Sequence, residues 1–437
     1  MRRVYIETYG CQMNVADTEL MLGVLGREGY VPTESPDEAD VLLVNTCAVR
    51  DNAEQRVIGR IGELQRYRAP GRIIGVVGCM AQRLGPVLLE RGTQVDLVAG
   101  PDAYRNLPAL VREAGSGERV VDTEFRGWEH YEDVPAVRTP SPNQFVTVQR
   151  GCDYRCTFCI VPMTRGPERS RKLEDVTGEV ERLAAEGTSE VTLLGQTVNS
   201  WHDGTHDFAE LLRAVGRVTG IRRIRFTSPY PTDFTDSVIA AMAEVPAVCE
   251  HVHLPVQSGS NAVLRRMLRR YSRQQYLEVV TKLRRAVPGI TFSTDIIVGF
   301  PGETDAQFEE TLTLVAEAGF DDAYTFQYSP REGTPAMRML QDAIPDDVAS
   351  ERMQRLVAAV RAQARRKHLT RIGQSHEVLI ERPAKRGGML GRTRTNLLVL
   401  VEVPESARGE YHHVTLTGTT GSTFVGRLER TQLAVLA

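Results

Sequence analysis

Three cysteines stand in CxxxCxxC spacing in the stretch Gly151-Cys152-Asp153-Tyr154-Arg155-Cys156-Thr157-Phe158-Cys159-Ile160-Val161-Pro162. The apolar run Phe145–Val148 precedes them, and a basic loop with Arg165, Arg169, Arg171 and Lys172 follows. A loop this tight can point three thiolates at one centre, and thiolate sulfur selects soft metals, chiefly zinc and iron–sulfur clusters. Zinc wants a fourth ligand, and no other Cys and no His lies between residues 131 and 201. Complete protein ligation of a four-iron cluster uses four Cys, so three would leave one iron open for an exogenous ligand. Three small buried residues, or a zinc knuckle completed from afar, are the competing readings.

A second trio stands upstream. Apolar runs Val4–Ile6, Val41–Val44, Ile73–Val77 and Val95–Val98 alternate with helical patterns near Asp17–Glu28, Asn52–Tyr67 and Leu84–Arg91. That alternation predicts an α/β domain with a parallel sheet covered on both faces, over residues 1–118. Cys11, Cys47 and Cys79 each follow one of the first three strands, with 35 and 31 residues between them. Open α/β sheets place their ligands at the carboxyl ends of parallel strands, so the three thiols can converge there. Residues 119–137 read as an ordered linker, whose aromatics Phe125, Trp128 and Tyr131 suit packing better than base-stacking.

From 138 to 369 six strand runs recur: Phe145–Val148, Val191–Leu194, Ile224–Thr227, His251–Pro255, Phe292–Val298 and Tyr324–Tyr328. All but the last are followed by a helical stretch, which fits a partial TIM-like (β/α)6 barrel with its chemistry at the carboxyl ends of the strands. The unusual segments fall there: Gly195-Gln196-Thr197-Val198-Asn199, Gln257-Ser258-Gly259, and Asp295 through Gly299 to Glu303. Glycines admit close approach of a ligand and amides offer paired donors and acceptors. Gln196, Asn199, Gln257, Ser258, Asp295, Gly299 and Glu303 are therefore the candidate cofactor residues, although each piece alone is also an ordinary turn or helix cap. His251 and His253 share one face of a strand and read as packed core histidines.

Residues 372–435 predict five short strands in a small barrel, with Lys385, Arg386, Arg392, Arg394, Arg408 and Arg427 decorating it. The chain of 437 residues has a net charge of −3, but 15 Lys+Arg against 7 Asp+Glu from Glu351 onward leave that tail at +8 and the first 350 residues at −11. A basic terminal module on an acidic body suggests a docked polyanion, with a solvated helix at Arg361–Arg371 as the plainer reading. No apolar run is long enough to span a membrane, and Arg2, Arg3 and Glu7 do not fit a signal peptide, so a cytoplasmic protein is expected. Seven cysteines without a secretory signal read as metal or redox ligands, with Cys249 left over as a small buried hydrophobe.

The cysteine loop resembles that of the radical S-adenosylmethionine superfamily. The phrases Tyr9-Gly10-Cys11-Gln12-Met13-Asn14, Asn45-Thr46-Cys47-Ala48-Val49-Arg50, Gly78-Cys79-Met80-Ala81-Gln82-Arg83 and Gly100-Pro101-Asp102 narrow the resemblance to methylthiotransferases. It implies two 4Fe-4S clusters, one on Cys152, Cys156 and Cys159, which generates a 5′-deoxyadenosyl radical from S-adenosylmethionine, and an auxiliary one on Cys11, Cys47 and Cys79. Two S-adenosylmethionine molecules are used per product, and the carboxyl-terminal barrel looks like an RNA-binding TRAM domain. Cys159 to Arg171, Gly195 to Ser200 and Gly391-Arg392-Thr393 look most like the members that act on carbon 2 of N(6)-isopentenyladenosine, 3′ to the anticodon. The implied partners are a tRNA anticodon stem-loop and a low-potential donor of flavodoxin or ferredoxin type; the sulfur donor is not implied. The chain departs from the family pattern at Pro167 and at Leu268-Arg269-Arg270-Tyr271, where Asn-Arg-Gly-Tyr is usual. Sister enzymes acting on threonylcarbamoyl-adenosine or a ribosomal-protein aspartate are the near alternatives. A non-catalytic iron–sulfur RNA-binding sensor is the distant one.

Overall fold

The computed structural model describes residues 1–48, 51–90 and 94–429, and for 51–55 the backbone only. Val49 and Arg50, the expected helix end at Arg91 and the last residues of the 372–435 segment lie outside the described residues.

The chain opens with β1 (Arg2–Thr8), α1 (Gln12–Arg27), β2 (Tyr30–Pro32), β3 (Val41–Thr46), α2 (Asp51–Leu64), β4 (Ile73–Gly78), α3 (Cys79–Leu84), α4 (Val87–Glu90), β5 (Leu97–Ala99), α5 (Leu107–Gly115) and β6 (Val120–Asp122). Six parallel strands lie in the order β2-β1-β3-β4-β5-β6. Every residue of β3 and β4 is buried, as expected of a sheet covered on both faces. Leu43 and Val77 point into a core with Leu20 and Val111, while Leu42, Val44 and Val76 pack with Val57 and Ile61 on the other side.

Three details differ from expectation. The helix anticipated over Leu84–Arg91 is two short ones, because Pro86 lacks an N–H to donate and Gly85 turns the chain. It begins instead at Cys79, so the third cysteine opens a helix. Two edge strands of three residues, β2 and β6, are too short to show an alternating pattern, and β6 falls inside the segment expected to be a linker. There Tyr131 is buried against Tyr104, whereas Phe125 and Trp128 are exposed.

Next come β7 (Asn143–Thr147), β8 (Gln149–Arg150), α6 (Val161–Arg165), β9 (Arg169–Ser170), α7 (Leu173–Ala185), β10 (Glu190–Leu194), α8 (Phe208–Gly216), β11 (Arg223–Phe226), α9 (Asp236–Glu244), β12 (His251–His253), α10 (Asn261–Arg266), α11 (Arg273–Ala286), β13 (Thr291–Val298), α12 (Asp305–Ala318), β14 (Asp322–Gln327) and α13 (Asp346–Arg371). Two parallel sheets, β7–β10–β11 and β12–β13–β14, are stitched together by a parallel bridge between Ile224 and Val248. The result is the expected row of six parallel strands. The core extends through it from Val146 to Phe320.

A closed barrel follows, formed by β15 (Ser375–Pro383), β16 (Met389–Thr393), β17 (Leu398–Val401), β18 (Tyr411–Thr419) and β19 (Thr423–Leu428). It packs on the amino-terminal ends of the core strands. Arg223, at the start of β11, donates to the Arg392 carbonyl (2.7 Å), and Thr291, at the start of β13, donates to the Thr395 carbonyl (2.8 Å). Arg394, expected on the barrel surface, is instead ion-paired with Glu250 at 2.7 Å, and Arg392 turns to Glu381 and Asn396. The carboxyl ends of the core strands remain for the cysteines. Among the described residues no helix is long and apolar enough to cross a membrane.

Candidate active site

The CxxxCxxC loop is closed at its base. β8 and β9 pair antiparallel, Arg150 opposite Arg169, and the Cys152 N–H donates to the Gly166 carbonyl at 3.1 Å. Gly151 has φ +78°, and a Cβ there would meet the Pro167 carbonyl oxygen at 1.9 Å, so no side chain fits at the neck of the loop. Cys152 and Cys156 are buried and Cys159 half-buried. Thr197 Oγ1 approaches the Cys152 sulfur at 3.8 Å, and Arg269 Nη1 lies 3.4 Å from that of Cys156. Burial, with smaller contributions from the neighbouring thiols, pushes the Cys152 thiol up to about 11 and that of Cys159 up to about 12. Tyr154, inside the loop, stacks on Tyr230 with ring centroids 3.8 Å apart. Arg269 lies over the other neighbours of this cluster, the rings of Tyr230 and Tyr271, at 4.3 and 5.0 Å.

The second trio follows three adjacent strands, β1, β3 and β4. Cys11 caps α1 and is exposed, whereas Cys47 and Cys79 are buried. Asn14 and Asn45 lock the strand ends together, with Asn14 Nδ2 donating to Asn45 Oδ1 and to the Thr46 carbonyl, both at 3.1 Å. Gly10, at φ +146°, lets this lock close, since a Cβ would meet Asn14 Oδ1 at 2.4 Å and the Cys47 Cβ at 2.9 Å.

The two trios meet. Cys79 and Ala48 pack on Ile160, the residue after Cys159. Arg165, at the end of α6, donates from Nε to the Cys79 sulfur at 3.2 Å and from Nη2 to Asp17 at 2.7 Å. The other Asp17 oxygen accepts from Arg150 at 2.8 Å, and Asp17 is fully buried. Asp102 receives both terminal nitrogens of Arg169 at 2.9 Å. Arg150, Arg165 and Arg169 are thus bound into acidic groups of the first domain, whereas Arg171 pairs with Glu179 and Lys172 donates to the Asp203 carbonyl within the core.

The candidate cofactor residues gather on the same rim with different duties. Gln196 is half-buried, and its Oε1 has no protein partner. Gln257 adopts φ +71° and joins β13 through a bridge to Ile296. Asp295 reaches His253 Nε2 at 3.3 Å. Asn199 has both ends of its amide on the Tyr230 backbone, at 2.7 and 2.9 Å. Ser258 is buried against Thr311 and the Ser260 N–H. Glu303 accepts from the Gly299 N–H (2.8 Å) and from Arg352 (3.0 Å), so it fixes the Gly299 turn. Asn199, Ser258 and Glu303 therefore brace the turns at this rim. His251 and His253 both bond Ser293 Oγ, at 3.1 and 2.9 Å. Sequence reasoning did not find Asp17, Arg269 or Tyr230 as site residues, because each matters through a partner far away in the chain.

The donor set fits iron–sulfur chemistry. Each trio is made of thiols, and thiolate sulfur selects soft metals. Buried thiols with guanidinium donors close by suit a larger anionic cluster. Gln196 Oε1, Glu303 Oε1 and Tyr328 Oη are buried without protein partners, as a polar ligand bound at this rim would require.

Residues 3–100 match the Uncharacterized protein family UPF0004, and residues 146–315 match the Radical SAM superfamily. Among solved structures, TsrM from Kitasatospora setae, a radical S-adenosylmethionine methyltransferase with cobalamin and a [4Fe-4S] cluster bound, superposes with TM-score 0.57 at 15% identity, covering 77% of each chain. The cobalamin-dependent radical enzyme OxsB gives TM-score 0.53 at 13% identity, over 81% of this chain and 56% of that one. At such identities the likeness concerns the fold. The tRNA-2-methylthio-N(6)-dimethylallyladenosine synthase of Anoxybacillus flavithermus is 46% identical over 429 residues, covering 95% of this chain and 81% of the relative. That of Porphyromonas gingivalis is 43% identical over 443 residues, covering 98% and 96%. With its two trios of thiols joined through Cys79, Ile160 and Arg165 and this identity along nearly its whole length, the chain belongs to the tRNA-2-methylthio-N(6)-dimethylallyladenosine synthase family.

Proposed function

We propose that this chain is a cytoplasmic radical S-adenosylmethionine enzyme that adds a methylthio group to carbon 2 of N(6)-isopentenyladenosine, 3′ to the anticodon of tRNA. The observation that carries the reading is the contact between the trios, Cys79 beside Ile160 and Arg165 of the CxxxCxxC segment. A sulfur-bearing centre and a radical-generating centre must lie beside one substrate carbon, and this contact supports that arrangement. Cys152, Cys156 and Cys159 would hold one 4Fe-4S cluster, and Cys11, Cys47 and Cys79 the other. When bound, the clusters and S-adenosylmethionine supply the radical chemistry that acid–base side chains do not.

The protein's part is orientation and exclusion of water. Gln196, Gln257 and Asp295 offer polar groups to S-adenosylmethionine, and Asn199, Ser258, Gly299 and Glu303 shape the turns around it. Arg269 donates toward Cys156 and is sheathed by Tyr230 and Tyr271, which keep water from that side. A loop base is already unpaired, so no duplex has to be opened to present it. The exposed Lys385, Arg386, Arg408 and Arg427 of the terminal barrel, which would serve as a TRAM domain, suit the flanking phosphates.

The test uses anaerobically reconstituted full chain with dithionite, S-adenosylmethionine and anticodon stem-loops carrying N(6)-isopentenyladenosine, threonylcarbamoyl-adenosine or plain adenosine. Mass spectrometry should find the methylthio nucleoside only with the first. Product on the threonylcarbamoyl RNA would reassign the substrate, and absence of 5′-deoxyadenosine in every arm would refute the enzyme reading.

A further inference from the structure

We propose that Arg165 is a positioning residue for the metal centre of Cys11, Cys47 and Cys79, donating hydrogen bonds to that centre while Asp17 holds its guanidinium in place. The inference rests on the reading that those three thiols carry a 4Fe-4S cluster.

Each of the three nitrogens of Arg165 contributes to the case. Nε points at the Cys79 sulfur, 3.2 Å away, and Nη2 is anchored by Asp17 at 2.7 Å. Nη1 is buried and has no acceptor in the protein. The side chain is only 4% exposed, so water does not satisfy that donor. A buried donor without a partner calls for an acceptor, and an anionic cluster on Cys79, with sulfides of its own, is the acceptor this location offers.

The first trio provides an internal comparison. Arg269 stands to Cys156 as Arg165 stands to Cys79, but it is held by the Tyr271 hydroxyl, the Pro255 carbonyl and two aromatic faces. Arg165 is instead seated on a carboxylate. Hydrogen bonds and charge beside the sulfurs set the reduction potential of an iron–sulfur centre. A donor aimed at a ligand sulfur favours the reduced, more negative state, so Arg165 raises the potential of its own centre. The fork also fixes Cys79 relative to α6, and through it the spacing of the two centres.

The experiment isolates the second centre in a Cys152→Ala/Cys156→Ala/Cys159→Ala parent, which should bind about four irons. Dye-mediated redox titration followed by EPR is run on this parent and on the same chain with Arg165→Met, Arg165→Lys or Arg150→Met. Arg150 shares Asp17 but does not touch Cys79, so it reports any effect of the ion pair alone. The expected result is a centre that reduces at a more negative potential with Arg165→Met. Arg165→Lys, which keeps the charge on Asp17, should fall between that and the parent, and Arg150→Met should match the parent. A potential unmoved by Arg165→Met, or moved equally by Arg150→Met, overturns the proposal. A parent without iron refutes the second-centre reading, and the proposal with it.

Discussion

Replacing Asp17 by Asn tests whether the ion pairs around it hold the first domain to the core. The carboxylate is fully buried and accepts from Arg165 at 2.7 Å, from Arg150 at 2.8 Å and from the Tyr104 hydroxyl at 3.4 Å. Removing one partner of a buried pair costs about 3–5 kcal/mol, because the other charge is left uncompensated. Here two guanidinium groups are left. The amide oxygen left by Asp17→Asn still accepts from one of them, so the single-pair figure is kept. A loss of about 3–5 kcal/mol for the first domain is the net expectation. Burial alone would push the Asp17 carboxyl up, but the Arg165 and Arg150 charges outweigh it and hold the group below its ordinary value. The contribution is therefore complete above pH about 4 and is lost as pH falls further, through the folded-state value. A multidomain chain does not unfold in two states, so hydrogen exchange read separately for β3 and β13 is the suitable assay. The reasoning is refuted by a change below about 1 kcal/mol in β3. It is equally refuted by an Asp17→Asn/Arg165→Gln double variant as unstable as the sum of the singles, since pairs in contact couple by about 0.5–3 kcal/mol.

The cysteine assignment predicts about eight irons per reconstituted chain, four per cluster. Replacing either trio by Ala should halve that number by iron analysis; 5′-deoxyadenosine formation should survive loss of Cys11, Cys47 and Cys79 but not loss of Cys152, Cys156 and Cys159. His251 is held well below its ordinary value by burial and by the charges of Arg225, His253 and Arg392. Below pH about 6.5 the unfolded chain takes up a proton that the folded chain refuses, so stability is lost as pH drops, by up to about 1.4 kcal/mol per unit. His251→Asn should flatten the pH dependence of hydrogen-exchange protection in β12 between about pH 5 and 7 relative to the parent. Leu268 sits exposed at φ +53°, a region that suits Asn and strains Leu. Leu268→Asn should therefore stabilise this segment by about 1 kcal/mol, the low end of the cost of a left-handed residue, and weaker hydrogen-exchange protection of α10 would contradict that account.

What was legible in the sequence was whatever repeats locally. The CxxxCxxC spacing, the cysteine after each of three strands, and the strand–helix alternation all follow from residues close together in the chain. β3 and β4, at six residues each with every position buried, were plain, whereas β2 and β6, at three residues each, were not. Leu268 shows the same principle in reverse. Its departure from the family pattern was visible as an unusual letter, and the backbone angle supplies the reason Asn is the better fit. The duties of Asn199 and Glu303 could not be read, because an amide or carboxylate that clamps a turn is written in the same letters as one that binds a cofactor.

The pairs that join the domains were hidden for a different reason: Asp17 and Arg165 are 148 positions apart, and Arg223 and Glu377 are 154 apart. Charge at those positions reads as surface until the partner is known. The consequence is largest for the terminal barrel. Its basic residues suggested a polyanion partner, yet Arg392 and Arg394 are taken up within the protein, on the rim opposite the thiols. Strand β13 alone, at eight residues, separates the two rims by about 26 Å. Lys385, Arg386, Arg408 and Arg427 can therefore assist chemistry at the thiol rim only through a ligand long enough to pass along the flank of the core. A nucleoside is too small to touch both, and a folded RNA arm is not. Stem-loops shortened from the helical end should lose affinity while the modified base keeps its place in the site, and equal binding of short and long stems would detach the barrel from substrate recognition.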